Sequence, residues 1–430
     1  MESTLEFEDV SFEDKGELIR VNFLKNYYFE VERRELEDIA SFRISGKNKG
    51  KIVFETNEKR ARNKLNLIML RGFSSLRNKL TGRHAVYITR ESGIPLIGNN
   101  SFGLVDRNTN LIEVKPITGC NLSCVFCSVD EGPAGRWVTD FIVEPDYLIE
   151  EFRRLAEYKR EGMKGGVGGC ARAGGSGAEG EALELEAHIG THGEPLLYPK
   201  ITELVKGIAA IEGVRRVSFD TNGTLLTKKL IDELAEAGLT KIHLSLNAMD
   251  KRVAERLAGC PYNLEHVLEM ARYISEISKS SGSGIGLLIA PIWVSGINDE
   301  EMPKLIGFAK ELGVRVAIQN FLSYKYGRNP AKQMDWELFG KKMGQLEKEM
   351  GVKLLFSEMD FSIAKTRSLE RPFRKGQLIR AEVVCDGRLK DEKIAVAEGR
   401  NISVEHCGRK GTIKIRLTRD KHNIFFGVCA

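Results

Sequence analysis

The chain has 430 residues, 42% hydrophobic and 29% charged, which is enough length for two or three domains, one of them a barrel of more than about 200 residues. No segment reaches the roughly 18 unbroken apolar residues of a membrane-spanning helix, so a partner membrane is not expected. The net charge is only +5, but residues 366–430 carry 15 Lys and Arg against 8 Asp and Glu, a net +7 that leaves −2 for the rest and points any polyanionic partner to the C-terminal end.

In chain order, the start is acidic where an export signal would be basic and then apolar, which places the protein in the cytoplasm. Residues 1–105 mix a charged helical stretch at 59–80 with short strands at 51–55 and 84–89, a small α+β region. Residues 106–365 alternate β-rich runs (111–115, 183–189, 214–220, 241–246, 284–293, 315–320) with amphipathic helical ones (145–161, 200–210, 228–237, 264–277, 300–312). Six such repeats predict a parallel sheet with helical crossovers. Thr227 sits where an N-cap belongs and Gly238 where a helix stops. Residues 162–180 are too rich in glycine for regular structure and read as a flexible insertion. After 320 come a basic, aromatic loop, a helix at 335–350 and a strand at 352–356. From about 372 apolar residues alternate, clearest at Ile413, Ile415 and Leu417, so 366–430 is expected to form a small β-barrel.

In a reducing compartment eight cysteines are metal ligands, catalytic thiols or core residues rather than a disulfide framework. Cys120, Cys124 and Cys127 stand within eight residues, directly after the first strand of the repeat. Soft thiolates select zinc or an iron-sulfur cluster. Structural zinc needs a fourth nitrogen or sulfur ligand, normally in a second knuckle, and none follows in the sequence. A four-iron cluster with one open iron needs these three alone, and a loop leaving the C-terminal end of a barrel strand is where such folds build their sites.

The spacing C-x3-C-x2-C with Phe126 before the last cysteine resembles the motif of the radical S-adenosylmethionine (SAM) superfamily. The likeness continues in order through Thr191, Gly193, Glu194 and Pro195 after the second strand, Asn222 and Gly223 after the third, Ser245 and Asn247 on the fourth, and Pro291 with Asn298 on the fifth. It implies a partial (β/α)6 TIM-like barrel. It implies a [4Fe-4S] cluster on Cys120, Cys124 and Cys127 that binds SAM through its open iron, and an electron donor such as ferredoxin or flavodoxin. One electron would then break a carbon-sulfur bond of SAM and leave a 5′-deoxyadenosyl radical. Phe126, Thr191, Gly193, Glu194, Asn222, Ser245, Asn247, Pro291 and Gln319 are the expected SAM contacts. His192 departs from the pattern, which usually has glycine there; it either points away from SAM or donates a proton near it.

The tail resembles a TRAM-like or other OB-type barrel, the module that some radical SAM tRNA-modifying enzymes carry, and the order of parts is similar to that of uncharacterised archaeal radical SAM proteins. Small β-barrels of this kind bind nucleic acid with a basic groove and stacking aromatics, here Phe373, Phe425 and Phe426 or core residues. Tyr324, Lys325, Tyr326 and Arg328 lie where they could stack on a base and pair with phosphate, or form a solvated loop. No cysteine precedes Cys120, which argues against the second cluster of methylthiotransferases. Cys170 in the glycine-rich insertion is the candidate catalytic thiol, whereas Cys385, Cys407 and Cys429 read as small buried hydrophobes. The leading expectation is a radical SAM enzyme that modifies a nucleotide in RNA, with tRNA docked by a separable tail. The alternatives are the same chemistry on a peptide, lipid or small metabolite, and a non-catalytic iron-sulfur RNA-binding protein.

Overall fold

A computed structural model describes residues 2–46, 49–164, 183–280 and 284–430. At its centre six parallel strands follow one another in sequence order: β1 Leu111–Lys115, β2 Leu185–Ile189, β3 Val214–Thr221, β4 Lys241–Leu244, β5 Gly286–Ile289 and β6 Arg315–Val316. An antiparallel strand, Gly103–Asp106, covers the outer edge of β1, and β1 does not pair with β6, so the barrel stays open. The helices between strands are α1 Pro145–Lys164, α2 Ile201–Ala209, α3 Lys228–Glu236, α4 Lys251–Ala258, α5 Leu264–Ser280 and α6 Glu301–Leu312; α7, Trp336–Met350, follows β6.

Strand alternation decides what faces where. Ile112, Val114, Ala187, Ile189, Val217, Phe219, Ile242 and Leu244 are buried on the helix-facing side, where α2 answers with Ile201, Leu204, Val205 and Ile208 at helical spacing. The opposite row, Glu113, Lys115, Glu186, His188, Ser218, Asp220 and His243, is polar and lines the lumen. An eight-stranded barrel fills that space with branched apolar side chains; this one lines it with polar and charged ones.

Several elements differ from expectation. The N-terminal region is α+β with more strand than the sequence indicated: a three-stranded sheet and a six-stranded one whose edge, Thr139–Val143, is lent by the segment after the cysteine loop. Its helix spans Glu58–Phe73 and stops short of 80 because Arg77–Asn78 joins that sheet. No strand forms at 352–356. Strands five and six each break after a few residues and resume as the pair Ile292–Trp293 and Gln319–Asn320. The eight-residue α4 was not foreseen, although Asp250 caps its first turn and Gly259 closes it in the left-handed region.

The tail is a closed five-stranded barrel of β7 Leu378–Asp386, β8 Lys393–Ala397, β9 Arg400–Glu405, β10 Gly411–Arg419 and β11 Phe426–Cys429, in the order β7-β8-β9-β11-β10. Its architecture is OB-like, and Ile402, Val404, Ile413, Ile415, Leu417 and Phe425 fill it. The tail is not a loosely tethered module. Arg388 leaves it, 3% exposed, to bond Glu131, Asp140 (2.9 Å), the Thr118 hydroxyl (2.8 Å) and the Thr139 carbonyl (2.8 Å) beside the mouth of the main barrel. Alongside, the Asn401 and Phe425 amides donate to the carbonyls of Ile97 (3.0 Å) and Gly98 (2.9 Å). A Cβ on Gly98 would stand 2.0 Å from the Asn401 oxygen, so glycine permits that approach.

Candidate active site

Cys120, Cys124 and Cys127 converge on one cavity of about 240 Å³ at the C-terminal end of the strands. The loop that carries them is held from three sides. The Ser123 and Val125 amides donate to the carbonyls of Ala258 (3.0 Å) and Leu257 (2.9 Å) at the end of α4, and a Cβ on Gly259 would lie 2.2 Å from the Ser123 oxygen. Arg328 donates to Asp130 (2.6 Å) and to the carbonyls of Cys124 (3.0 Å) and Glu131 (2.9 Å), so its guanidinium is committed to this loop rather than offered to phosphate. Arg388 holds Glu131, which itself sits four residues beyond Cys127.

Burial pushes all three thiols up, Cys124 to about 12, because a lone thiolate loses its hydration there. Three such sulfurs facing one cavity are stable as thiolates only around a cation that replaces the lost water. The Leu122 amide points at the Cys120 sulfur (3.4 Å) and the Glu131 amide at Cys127 (3.3 Å), donors that suit sulfur carrying charge. Among the described residues lining this cavity there is no fourth cysteine and no histidine. The donor set therefore fits a cluster with one iron free of protein ligands.

Most of the expected SAM contacts come together here: Phe126, Thr191, Gly193, Glu194, Asn222, Ser245 and Asn247 all line the cavity. Gly193 pairs with Gly119 as a short parallel strand, at φ +143°, and a Cβ on it would lie 1.8 Å from the Gly119 oxygen. Glu194 is buried, its oxygens accepting from the Thr221 hydroxyl (2.8 Å) and the amides of Asn222 (2.8 Å) and Leu196 (3.1 Å); burial nevertheless raises its carboxyl to about 7. Asn247 accepts from the Ile292 amide (2.8 Å), and Asn298 donates to the carbonyls of Asn247 and Ile292 (both 3.0 Å), so the Asn298 motif fastens strand four to strand five.

Two expected contacts are placed elsewhere. Pro291 is buried behind the wall that Ile292 forms, and its carbonyl accepts from the Gln319 amide (2.8 Å); the Gln319 side chain is exposed. Cys170 lies outside the described residues, as does most of the glycine-rich insertion. His192 faces a second cavity, where burial pushes its imidazole well down and keeps it neutral, 3.2 Å from the Asn100 amide nitrogen. Cys385, Cys407 and Cys429 line neither cavity, and the Cys407 and Cys429 sulfurs are neighbours in the tail. Asp220 and Thr221, which the sequence places in the turn after the third strand without assigning them a contact, line the cavity too, and Tyr262 was missed. Tyr262, whose hydroxyl donates to the Asn222 carbonyl (3.2 Å), becomes visible only once α4 is placed.

The second cavity, about 720 Å³, is a cleft between barrel mouth and tail that meets the first at Ser128, Val129 and Thr191. The barrel side gives it Lys115, Trp137, Tyr324, Lys325 and Tyr326, among others; the tail gives Arg388, Glu392, Glu405, Arg419 and Phe426, among others. Phe373 and Phe425 are tail core instead.

Residues 114–309 match the family model described as the radical SAM superfamily. The chain is 35% identical to an uncharacterised protein, MJ0103, of Methanocaldococcus jannaschii, over 97% of this chain and 96% of that one. It is 27% identical to the GTP 3′,8-cyclase of Aquifex aeolicus, a match that spans 51% of this chain and 58% of the cyclase. Among solved structures, SuiB of Streptococcus suis bound to S-adenosylmethionine aligns over 82% of this chain and 72% of its own, at 15% identity and a TM-score of 0.41. The three-cysteine cavity at the mouth of an open six-stranded barrel, with the matched segment and a relative over nearly the whole length, makes this chain a member of the radical SAM superfamily.

Proposed function

We propose that this radical SAM enzyme modifies a nucleotide of an RNA, with tRNA the first candidate, drawn into the cleft between barrel and tail. When bound, the cluster and SAM supply a 5′-deoxyadenosyl radical able to abstract a hydrogen atom. The chain's part is to position and to exclude water. Asn222, Ser245 and Asn247 frame the SAM cavity, and Thr191 stands at its junction with the cleft.

The observation that carries the reading is the cleft itself: it shares Ser128, Val129 and Thr191 with the SAM cavity and is walled by aromatic rings and cations from both domains, with Glu392 and Glu405 of the tail beside them. Lys325 lies over Tyr326 (4.7 Å) and Arg419 near Phe426 (5.8 Å), a pairing of ring and cation suited to a base and its phosphate. The Thr191 hydroxyl and the Asn100 carbonyl oxygen are buried without a partner, polar atoms that a substrate would satisfy. About 720 Å³ is room for a single everted nucleotide rather than a helical stretch.

A second reading, a free phosphorylated metabolite, is favoured by the buried anchoring of the tail, which sets the size of the cleft, and by the partial likeness to cyclases that act on GTP. One experiment separates the two. Anaerobically reduced protein with SAM is incubated with bulk tRNA or with a nucleotide pool, and 5′-deoxyadenosine and nucleoside masses are followed. A mass change in tRNA with salt-sensitive binding supports the first reading; stimulation by mononucleotides alone supports the second.

A further inference from the structure

We propose that the barrel lumen holds a second metal site, for one divalent first-row cation, built by His188, Asp220 and His243. Strands β2, β3 and β4 carry the three residues, and register sets Asp220 directly opposite His243 and His188 opposite Ser218, all on the lumen side. His188 Nε2 lies 3.2 Å from one Asp220 oxygen and His243 Nδ1 3.0 Å from the other. The three donor atoms lie within 4.8 Å of one another. Ligands around a tetrahedral zinc ion at 2.0–2.1 Å are about 3.3 Å apart, so small side-chain rotations close the site. Two imidazoles and a carboxylate are a donor set taken by zinc, iron and manganese.

The hydrogen bonds behind His188 fix which of its nitrogens is free. Glu186 accepts from Arg216 (3.1 Å) and from the Ser218 hydroxyl (2.7 Å). Ser218 thus spends its only proton on Glu186 and accepts from His188 Nδ1 at 2.9 Å. The Nε2 lone pair of a neutral His188 is left aimed at a carboxylate, an unfavourable arrangement that a cation between them reverses. This is the usual way a protein orients a metal-binding imidazole, through a hydrogen bond on its other nitrogen.

Charge leaves the site open to a cation. Among the described residues no Lys or Arg pairs with Asp220; Arg216 is taken by Glu186, and Lys115 by Glu113 at 3.0 Å. The imidazoles are 14% and 18% exposed whereas the Asp220 side chain is 54% exposed and lines the SAM cavity, so the free positions of the ion face that cavity. Gly190 keeps the approach clear, since a Cβ there would stand 3.0 Å from the His188 ring. The ion would anchor an oxygen of the substrate below SAM, a role that rests on the SAM-dependent reading; the metal site itself needs neither cysteine nor SAM.

The test uses full-length protein with its cluster reconstituted and held in the oxidised, EPR-silent state. Added Mn²⁺ is followed by the loss of its free EPR signal, with Zn²⁺ as competitor. The expected result is one Mn²⁺ bound per chain and displaced by Zn²⁺, with affinity lowered about a hundredfold in His188→Asn/His243→Asn and about tenfold in Ser218→Ala. Asp220→Asn, which keeps the side-chain shape, serves should the double variant misfold, and it too should lose the ion. Manganese avoids thiolate ligands, so Cys124→Ala should retain it, which keeps a failure of the cluster assignment distinct from a failure of this one. Mn²⁺ and Zn²⁺ binding no more tightly to the wild type than to these variants would overturn the proposal, leaving an imidazolium-carboxylate pair.

Discussion

Cys124 shows how much one side chain must do: its sulfur is buried, its carbonyl is clamped by Arg328, and its charge is tolerable only beside metal. Cys124→Ala should therefore abolish both the iron chromophore and 5′-deoxyadenosine formation while the protein stays folded, as read by absorption, iron content and product analysis. Glu194 offers a pH signature. Its carboxyl, raised by burial to about 7 from an unfolded value of 4.5, keeps a proton in the native state that the unfolded chain has already released. Stability from this group is full below pH 4.5 and declines as pH rises toward 7, by at most about 3 kcal/mol. Denaturation across that range, wild type against Glu194→Gln, should show a shallower slope in the variant, the remainder belonging to groups such as Glu131, whose carboxyl burial also raises to about 7. At this scale the sequence was legible where chemistry restricts the residue type. The three cysteines, Glu194 and Asn247 could be named because few side chains do their work. Gln319 and Pro291 do not line the cavity because strands five and six break, and a break shifts which side chain faces it.

Elements position these residues, and short ones matter most. The pairing of Thr118 and Gly119 with His192 and Gly193 joins the ends of the first two barrel segments over two residues, with no room for a methyl group on Gly193. Gly193→Ala should cost at least about 2 kcal/mol and lower SAM affinity, measured by denaturation and equilibrium binding, whereas Gly340→Ala in α7, with open space around it, should be neutral or mildly stabilising. The long amphipathic helices and the six-fold repeat were readable because periodicity over ten or more residues averages out local exceptions. The eight residues of α4 are too few for that, and only the caps at Asp250 and Gly259 betrayed them. The N-terminal strands were under-read for a related reason. Their six-stranded sheet is completed by Thr139–Val143, and no local pattern announces a partner so far along the chain.

For the molecule as a whole, the tail and the cysteine loop share one set of buried charges. Arg388 and Arg83 face Glu131 and Asp140, with Asn78 and Thr81 donating to Asp140 at 2.9 Å each. Removing Arg388 leaves two buried carboxylates to share Arg83 alone, so Arg388→Ala should destabilise the protein by about 3–5 kcal/mol and loosen iron along with the tail, as read by calorimetry and iron release. The sequence located the surplus positive charge but not this use of it, since an arginine spent in a buried pair and one left for a ligand are identical letters. The same contact bears on biosynthesis. Residues 131 and 388 are 257 positions apart, so Glu131 emerges from the ribosome long before its counter-ion. The loop that carries the thiols therefore lacks this one clamp until the tail has been made. A chain truncated before Arg388 is therefore expected to retain its iron less well than one that carries the tail, as measured by the iron content of the two.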